Sequence, residues 1–155
     1  MKRYVSVLFA AALCCLTVMS GCSGSRPSDP KAAVIAMFGA MEKDDKATLA
    51  HLLDLSELMA NYDQDYALQT DEPRHFTNPE QILDDLTGTG ETKARWFSLQ
   101  RIINEVSVDG DQATVEVTFV DKESSHGYRT KFGLRMVQSR WRIYSFNVLT
   151  PTESY

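Results

Sequence analysis

Ala113-Thr114-Val115-Glu116-Val117-Thr118-Phe119 alternates apolar and polar residues without a break. Successive side chains of an extended chain point to opposite faces, so this run is a strand with one buried side and one wet side. Upstream, Ile102 to Val108 reads as a second strand, and Asp109-Gly110 is a tight-hairpin signal between the two. Downstream of the polar loop Lys122 to His126, Tyr128, Phe132, Leu134 and Met136 alternate with Arg129, Lys131 and Arg135. A short turn at Gln138-Ser139 leads to Trp141 and Ile143, with Arg140, Arg142 and Tyr144 on the opposite face and Phe146 and Val148 continuing beyond Tyr144. Four antiparallel strands with a single apolar face need a cover, and the N-terminal half supplies it.

That half has the helical period. Ser28 or Asp29 can cap a helix that Pro30 opens, and Ala33, Val34, Met37, Phe38 and Met41 form its apolar stripe as far as about Lys43. Asp45 caps a short second helix carrying Leu49, Leu52 and Leu53, and Ser56 a third carrying Leu58, Tyr62 and Tyr66. Asn78-Pro79 repeats the cap-plus-proline signal ahead of Ile82, Leu83 and Leu86, and Gly88-Thr89-Gly90 ends that segment. Helices followed by antiparallel strands make an α+β domain over residues 30–150, with a short tail at 151–155.

The first residues have a different character. Lys2 and Arg3 precede an apolar run from Val5 to Val18, which ends in Met19-Ser20-Gly21-Cys22. The run is short for a bilayer span and has signal-peptide flanks. Its end resembles the lipobox of bacterial lipoproteins. The resemblance implies cleavage after residue 21, a diacylglycerol on the Cys22 thiol, and a membrane partner held through that lipid. Residues 1–21 are then a signal peptide and 22–29 a lipidated cysteine with a short tether. Ser23 favours the periplasmic face of the outer membrane in a Gram-negative cell; with one membrane, the same signal means the outer cell surface. Cys14 and Cys15 leave with the signal, so no disulfide framework and no thiol chemistry are expected. Seven tether residues reach at most about 25 Å, which keeps the domain close to its membrane.

Removing the signal takes two of the 16 basic residues and none of the 21 acidic ones, so the net charge of −5 becomes −7. An acidic chain in that compartment is not expected to bind nucleic acid.

A long first helix, a turn at Lys43-Asp44-Asp45, and a C-terminal sheet ending in Arg140-Trp141-Arg142-Ile143 resemble the nuclear-transport-factor-two-like (cystatin-like) superfamily, in its lipoprotein branch. The similarity covers about Asp29 to Leu149. It implies a curved four-stranded sheet wrapped around the helices as a cone, whose open end often holds a small-molecule pocket. The family includes isomerases, dehydratases, hydrolases and many non-catalytic members, so the fold does not settle the chemistry.

Enzymes of that kind place an aspartate, histidine or tyrosine inside the cone to move a proton. Tyr62, Asp63, Tyr66, His75, His126 and Tyr128 are the residues to consider, with Tyr62, Tyr66 and His75 the catalytic candidates for a small acid–base enzyme. No Asp–His or Tyr–Asp spacing singles out a pair. Asp63-Gln64-Asp65 and Asp84-Asp85 lack the glycine and distal glutamate of a calcium loop, and three scattered histidines are not a zinc set. No metal and no cofactor are expected. The leading expectation is a non-catalytic envelope lipoprotein that binds a ligand or supports an assembly; a cone plugged by Phe38, Met41, Phe119 and Trp141 would favour it, and a deep apolar pocket around a buried acid–base pair would favour the enzyme. The outer sheet face carrying Arg129, Lys131, Arg135, Arg140, Arg142, Tyr144 and Phe146 is either a solvated surface balanced by Glu105 and Glu116 on adjacent strands or the binding surface of that lipoprotein. The partners such a protein would take are an anionic envelope component, a small apolar ligand, or a second copy paired through the sheet.

Overall fold

A computed structural model describes residues 29–66, 76–124 and 126–151, with side chains placed for 29–61, 76–124 and 126–146. Helix α1 (Pro30–Glu42) begins where the Asp29 carboxylate accepts the Ala32 amide at 2.8 Å. It buries Ala33, Val34, Met37, Phe38 and Met41, the expected stripe. Asp45 caps α2 (Lys46–Leu52), accepting the Thr48 amide at 2.9 Å and its hydroxyl at 2.6 Å. Helix α3 (Leu55–Tyr66) starts before Ser56, which therefore does not cap it. Leu53 bridges to Ile143, and the Asp54 amide donates to the Ile143 carbonyl at 2.8 Å, so the chain is extended there and Asp54 takes the capping position. Its carboxylate accepts the Glu57 amide at 3.4 Å.

Helix α4 (Pro79–Asp85) is capped by Asn78, which accepts the Gln81 amide at 3.1 Å. A further helix, α5 (Glu91–Ser98), stands where no start signal is visible in the sequence. Its capping position is Gly90, which has no side chain to offer. The buried Asp85 carboxylate, from the end of α4, substitutes for it by accepting the Glu91 amide at 3.1 Å, the Thr92 amide at 3.2 Å and the Thr92 hydroxyl at 2.5 Å. Glycine is required at 90, because a Cβ would collide with the backbone carbonyls of Asp84 and Asp85.

Strands β1 (Gln100–Asp109), β2 (Gln112–Val120), β3 (Gly127–Val137) and β4 (Arg140–Pro151) form one antiparallel sheet in the order β1-β2-β3-β4. Helices and sheet together make the expected α+β layout. Both expected hairpin turns are present, with Gly110 at φ 59° in one and Gln138 and Ser139 at φ 50° and 61° in the other. Ala113, Val115, Val117 and Phe119 are buried on the inner face with Thr130, Phe132, Leu134, Trp141 and Ile143. Phe38, Met41, Phe119 and Trp141 are all buried. Trp96 of α5 joins them, stacked on Phe119 with centroids 5.5 Å apart and edge-on to Phe132 at 5.6 Å.

Phe146 departs from the expected pattern. The β3–β4 register slips between the pairs Gly133–Ser145 and Leu134–Ile143, which inserts one extra residue into β4 and reverses its parity. Phe146 therefore faces inward opposite Phe132, 1% exposed, with its ring 5.4 Å from Trp96. It belongs to the core and not to the outer face with Tyr144.

Replacing Asp85 by alanine leaves two amides and a hydroxyl at the start of α5 without their acceptor. The expected cost is about 1–3 kcal/mol, read as a lower midpoint in thermal unfolding followed by tryptophan fluorescence; an unchanged midpoint would contradict the capping role.

Candidate functional site

A cleft of about 480 Å³ opens where the end of α5 meets the β2–β3 connection. Arg95, Ser98 and Leu99 line one side, and Asp121, Ser124, His126, Gly127 and Tyr128 the other. Its inner wall continues the aromatic core, since Trp96 stacks on Phe119 and Phe119 stacks on Tyr128 at 5.1 Å and 17°. The Arg95 guanidinium lies over the Tyr128 ring, 5.3 Å from its centroid. Successive positions on α5 thus serve different ends: Trp96 turns into the core and Arg95 into the cleft.

The loop side is held by its own hydrogen bonds. The Asp121 carboxylate accepts the amides of Glu123 at 2.8 Å and Ser124 at 3.2 Å, and these two bonds hold its carboxyl below the ordinary value. The Asp121 amide donates to the His126 carbonyl at 2.8 Å, and the His126 amide to the Ser124 hydroxyl at 3.3 Å. Asp121 is thus occupied in shaping the loop, while the exposed His126 ring and the Ser98 and Ser124 hydroxyls border the opening. Burial pushes the Tyr128 phenol up from its ordinary value, against the opposing positive charge of Arg95. Its hydroxyl is buried without a well-formed hydrogen bond among the described residues, although the Arg95 side chain is near enough to oppose the rise.

Of the residues considered from sequence, the structure brings His126 and Tyr128 to one cleft, and His51 stands exposed on α2. The catalytic candidates Tyr62, Tyr66 and His75 lie outside the residues whose side chains are described. The sequence reading missed Arg95, Ser98 and Leu99, because it missed α5. The signal available was the four-residue spacing of Thr92 and Trp96, which places both on the buried face of that helix.

The outer sheet face collects Arg129, Lys131, Arg135, Arg140 and Arg142 on β3 and β4, though not with equal freedom. Arg135 is bound internally, 2.6 Å from the Asp54 carboxylate and 3.4 Å from Glu57. Burial works to raise the Asp54 carboxyl, but the hydrogen bonds from Arg135 and the Glu57 amide, with the charges of Arg135 and Arg142, outweigh it and hold it below the ordinary value. Arg129 lies 3.8 Å from Glu116. Lys131, Arg140 and Arg142 have no ion pair among the described residues. Tyr144 lies over Gly133, where any Cβ would strike its ring. The acidic turn at Lys43-Asp44-Asp45 is structural: Asp44 pairs with Lys93 at 2.5 Å and accepts the Gly88 amide at 2.5 Å. Among the described residues, no three His, Cys, Asp or Glu side chains are grouped to hold a metal ion. No described helix is long and apolar enough to cross a membrane.

The chain is thus an α+β protein of helices against a four-stranded open antiparallel sheet. It is similar in structure to a Campylobacter jejuni protein described as "Putative NTF2-like transpeptidase", at 15% identity and a TM-score of 0.42, over 74% of this chain and 97% of that one. No protein-family model matches the chain, and no curated protein matches it significantly.

Tyr128→Phe removes a buried hydroxyl that has no well-formed hydrogen bond among the described residues. The variant should unfold at the same temperature as the parent or a few degrees higher; a clear loss of stability in a thermal melt would reveal a partner for that hydroxyl.

Proposed function

We propose that the protein is a lipid-anchored component of the bacterial cell envelope whose domain binds a small molecule in the cleft between Arg95 and Tyr128 without transforming it. The observation that carries the binding part is the cleft itself. Its volume of about 480 Å³ suits a small molecule, and it combines an aromatic wall with a guanidinium. Leu99 and the Tyr128 ring favour a flat apolar body; Arg95, His126 and the two serine hydroxyls favour an anionic or acceptor-rich head. The interior, where an acid–base pair would have to sit, is filled by Phe38, Trp96, Phe119, Phe132 and Phe146, which favours a binding module over the isomerase or dehydratase alternative. The anchor rests on Met19-Ser20-Gly21-Cys22 and the apolar run before it. Two or three acyl chains at Cys22 would hold the domain durably, whereas one would hold it only marginally.

Cells fed labelled palmitate should incorporate it into the parent chain and not into Cys22→Ser, which should also leave the membrane fraction; equal labelling and fractionation of the two would remove the anchor. Benzoate, one ring with one carboxylate, probes the cleft. Millimolar benzoate should shift the amide resonances of Ser124, His126 and Gly127 in 15N-labelled protein, and Arg95→Ala should weaken the response at least about tenfold, as loss of one charge-assisted hydrogen bond would. Absent shifts, or shifts that survive Arg95→Ala, would remove the cleft as the binding site.

A further inference from the structure

We infer that the outer face of β3 and β4 is a second, separate binding surface, which lies against anionic phospholipid headgroups and sets how the domain stands on its membrane. The inference deepens the anchored reading and rests on it, because the anchor is what keeps this face within reach of a bilayer.

The charge distribution comes first. After removal of the signal the chain carries a net charge of −7, yet five of its cations share one face of two adjacent strands. Arg135 is neutralised by Asp54 and Glu57. Glu116 stands between two cations, 3.8 Å from Arg129 and opposite Lys131 in the strand register, and it cannot compensate both. Asp109 lies on the same face at the far hairpin end of β1, paired with Gln112. Five cations thus face the four carboxylates of Asp54, Glu57, Glu116 and Asp109, and those without an ion pair among the described residues are Lys131, Arg140 and Arg142. From Arg129 to Arg135 the row extends about 20 Å along β3. Among the described residues this concentration of cations would turn the face toward an anionic surface.

Shape and reach favour a bilayer over a folded acidic partner. An open sheet offers a broad face, and a headgroup layer is a broad array of phosphates at which guanidinium groups can each engage separately. The same face carries Tyr144 across Gly133 and the 44%-exposed Ile102 on β1, a ring and an apolar side chain of the kind that settles at a headgroup boundary. Contact is necessary, because exposed charges act over only about 8–10 Å at physiological salt. The tether allows it. Seven extended residues reach about 25 Å, which keeps the domain close to the bilayer.

The test uses the chain from residue 22 onward with Cys22→Ser, which lacks both the acyl chains and the apolar signal run of residues 1–21. It is sedimented with vesicles of phosphatidylcholine alone or with three-tenths phosphatidylglycerol. An acidic protein should be repelled by the anionic vesicles, so preference for them reports a local basic face. The expected result is at least tenfold stronger binding to the phosphatidylglycerol vesicles, lost at 0.5 M salt. Lys131→Glu with Arg140→Glu and Arg142→Glu should abolish that preference with an unchanged circular dichroism spectrum. If the reversed chain fails to fold, the corresponding three glutamine substitutions should reduce it. Equal binding to both vesicles, or a preference that survives these substitutions, overturns the inference, as does sedimentation with purified peptidoglycan but not with vesicles. Palmitate labelling of the parent chain is read separately, so loss of the anchor and loss of the headgroup surface cannot be confused.

Discussion

The contact on which the rest of the structure depends joins the Trp96 indole to phenylalanines from four other elements. Phe38 of α1 meets it at 5.9 Å, Phe119 of β2 at 5.5 Å, Phe132 of β3 at 5.6 Å and Phe146 of β4 at 5.4 Å. A short helix has little stability of its own, so α5 stays in place because its indole is gripped on every side and its first turn is bonded to Asp85. The indole N–H has no partner among the described residues, a cost that burial of the large ring offsets. Fixing Trp96 also fixes Arg95 beside it. The cleft is therefore a by-product of core packing: the residue that seals the interior decides where its neighbour's charge is held.

The extra residue in β4 has a comparable reach. It sends Phe146 inward to meet Trp96 and leaves Tyr144 outside, lying over Gly133 with the Arg135 guanidinium 5.9 Å from its ring. The row of cations on β3 is thus broken by an aromatic ring, and the arginine beyond that break is tied to Asp54 at the start of α3. Arg101 is a similar case on the other edge. It occupies the inner face of β1 opposite Phe119, its guanidinium 3.9 Å from the Phe97 centroid and donating to the Trp96 carbonyl at 3.0 Å. Burial draws its pKa down, against the raising influence of Glu42, and the side chain closes the core where β1 has no neighbouring strand among the described residues.

Much of this was legible because it is local. Alternation along β2, the turn residues at Gly110 and Gln138-Ser139, and the caps at Asp29, Asp45 and Asn78 each act within a few residues, and each behaves as its chemistry dictates. What was not legible depends on distance. The cap of α5 comes from Asp85, six residues before Glu91, and nothing at Gly90 advertises a helix. The start of α3 is set by backbone bonds to Ile143, far along the chain, so Asp54 rather than Ser56 holds the capping position. Periodicity cannot reveal the inserted residue in β4, since Phe146 and Val148 continue the alternation of Tyr144 on paper. The cleft was half visible: His126 and Tyr128 were among the candidates, but Arg95 could be placed only once its helix was known.

All four strands lie in the C-terminal part of the chain, and each pairs with its immediate predecessor. A meander of this kind closes only short loops, so it can zip up hairpin by hairpin with a small entropic barrier at each step. The helices come first in the chain but have no surface on which to bury Met37, Phe38 or Met41 until β2 to β4 exist. For a chain made N-terminus first, this order has a cost. The apolar helices emerge early and stay uncovered until the last strand arrives, which makes the interval before β4 is complete the period of greatest exposure to aggregation and proteolysis.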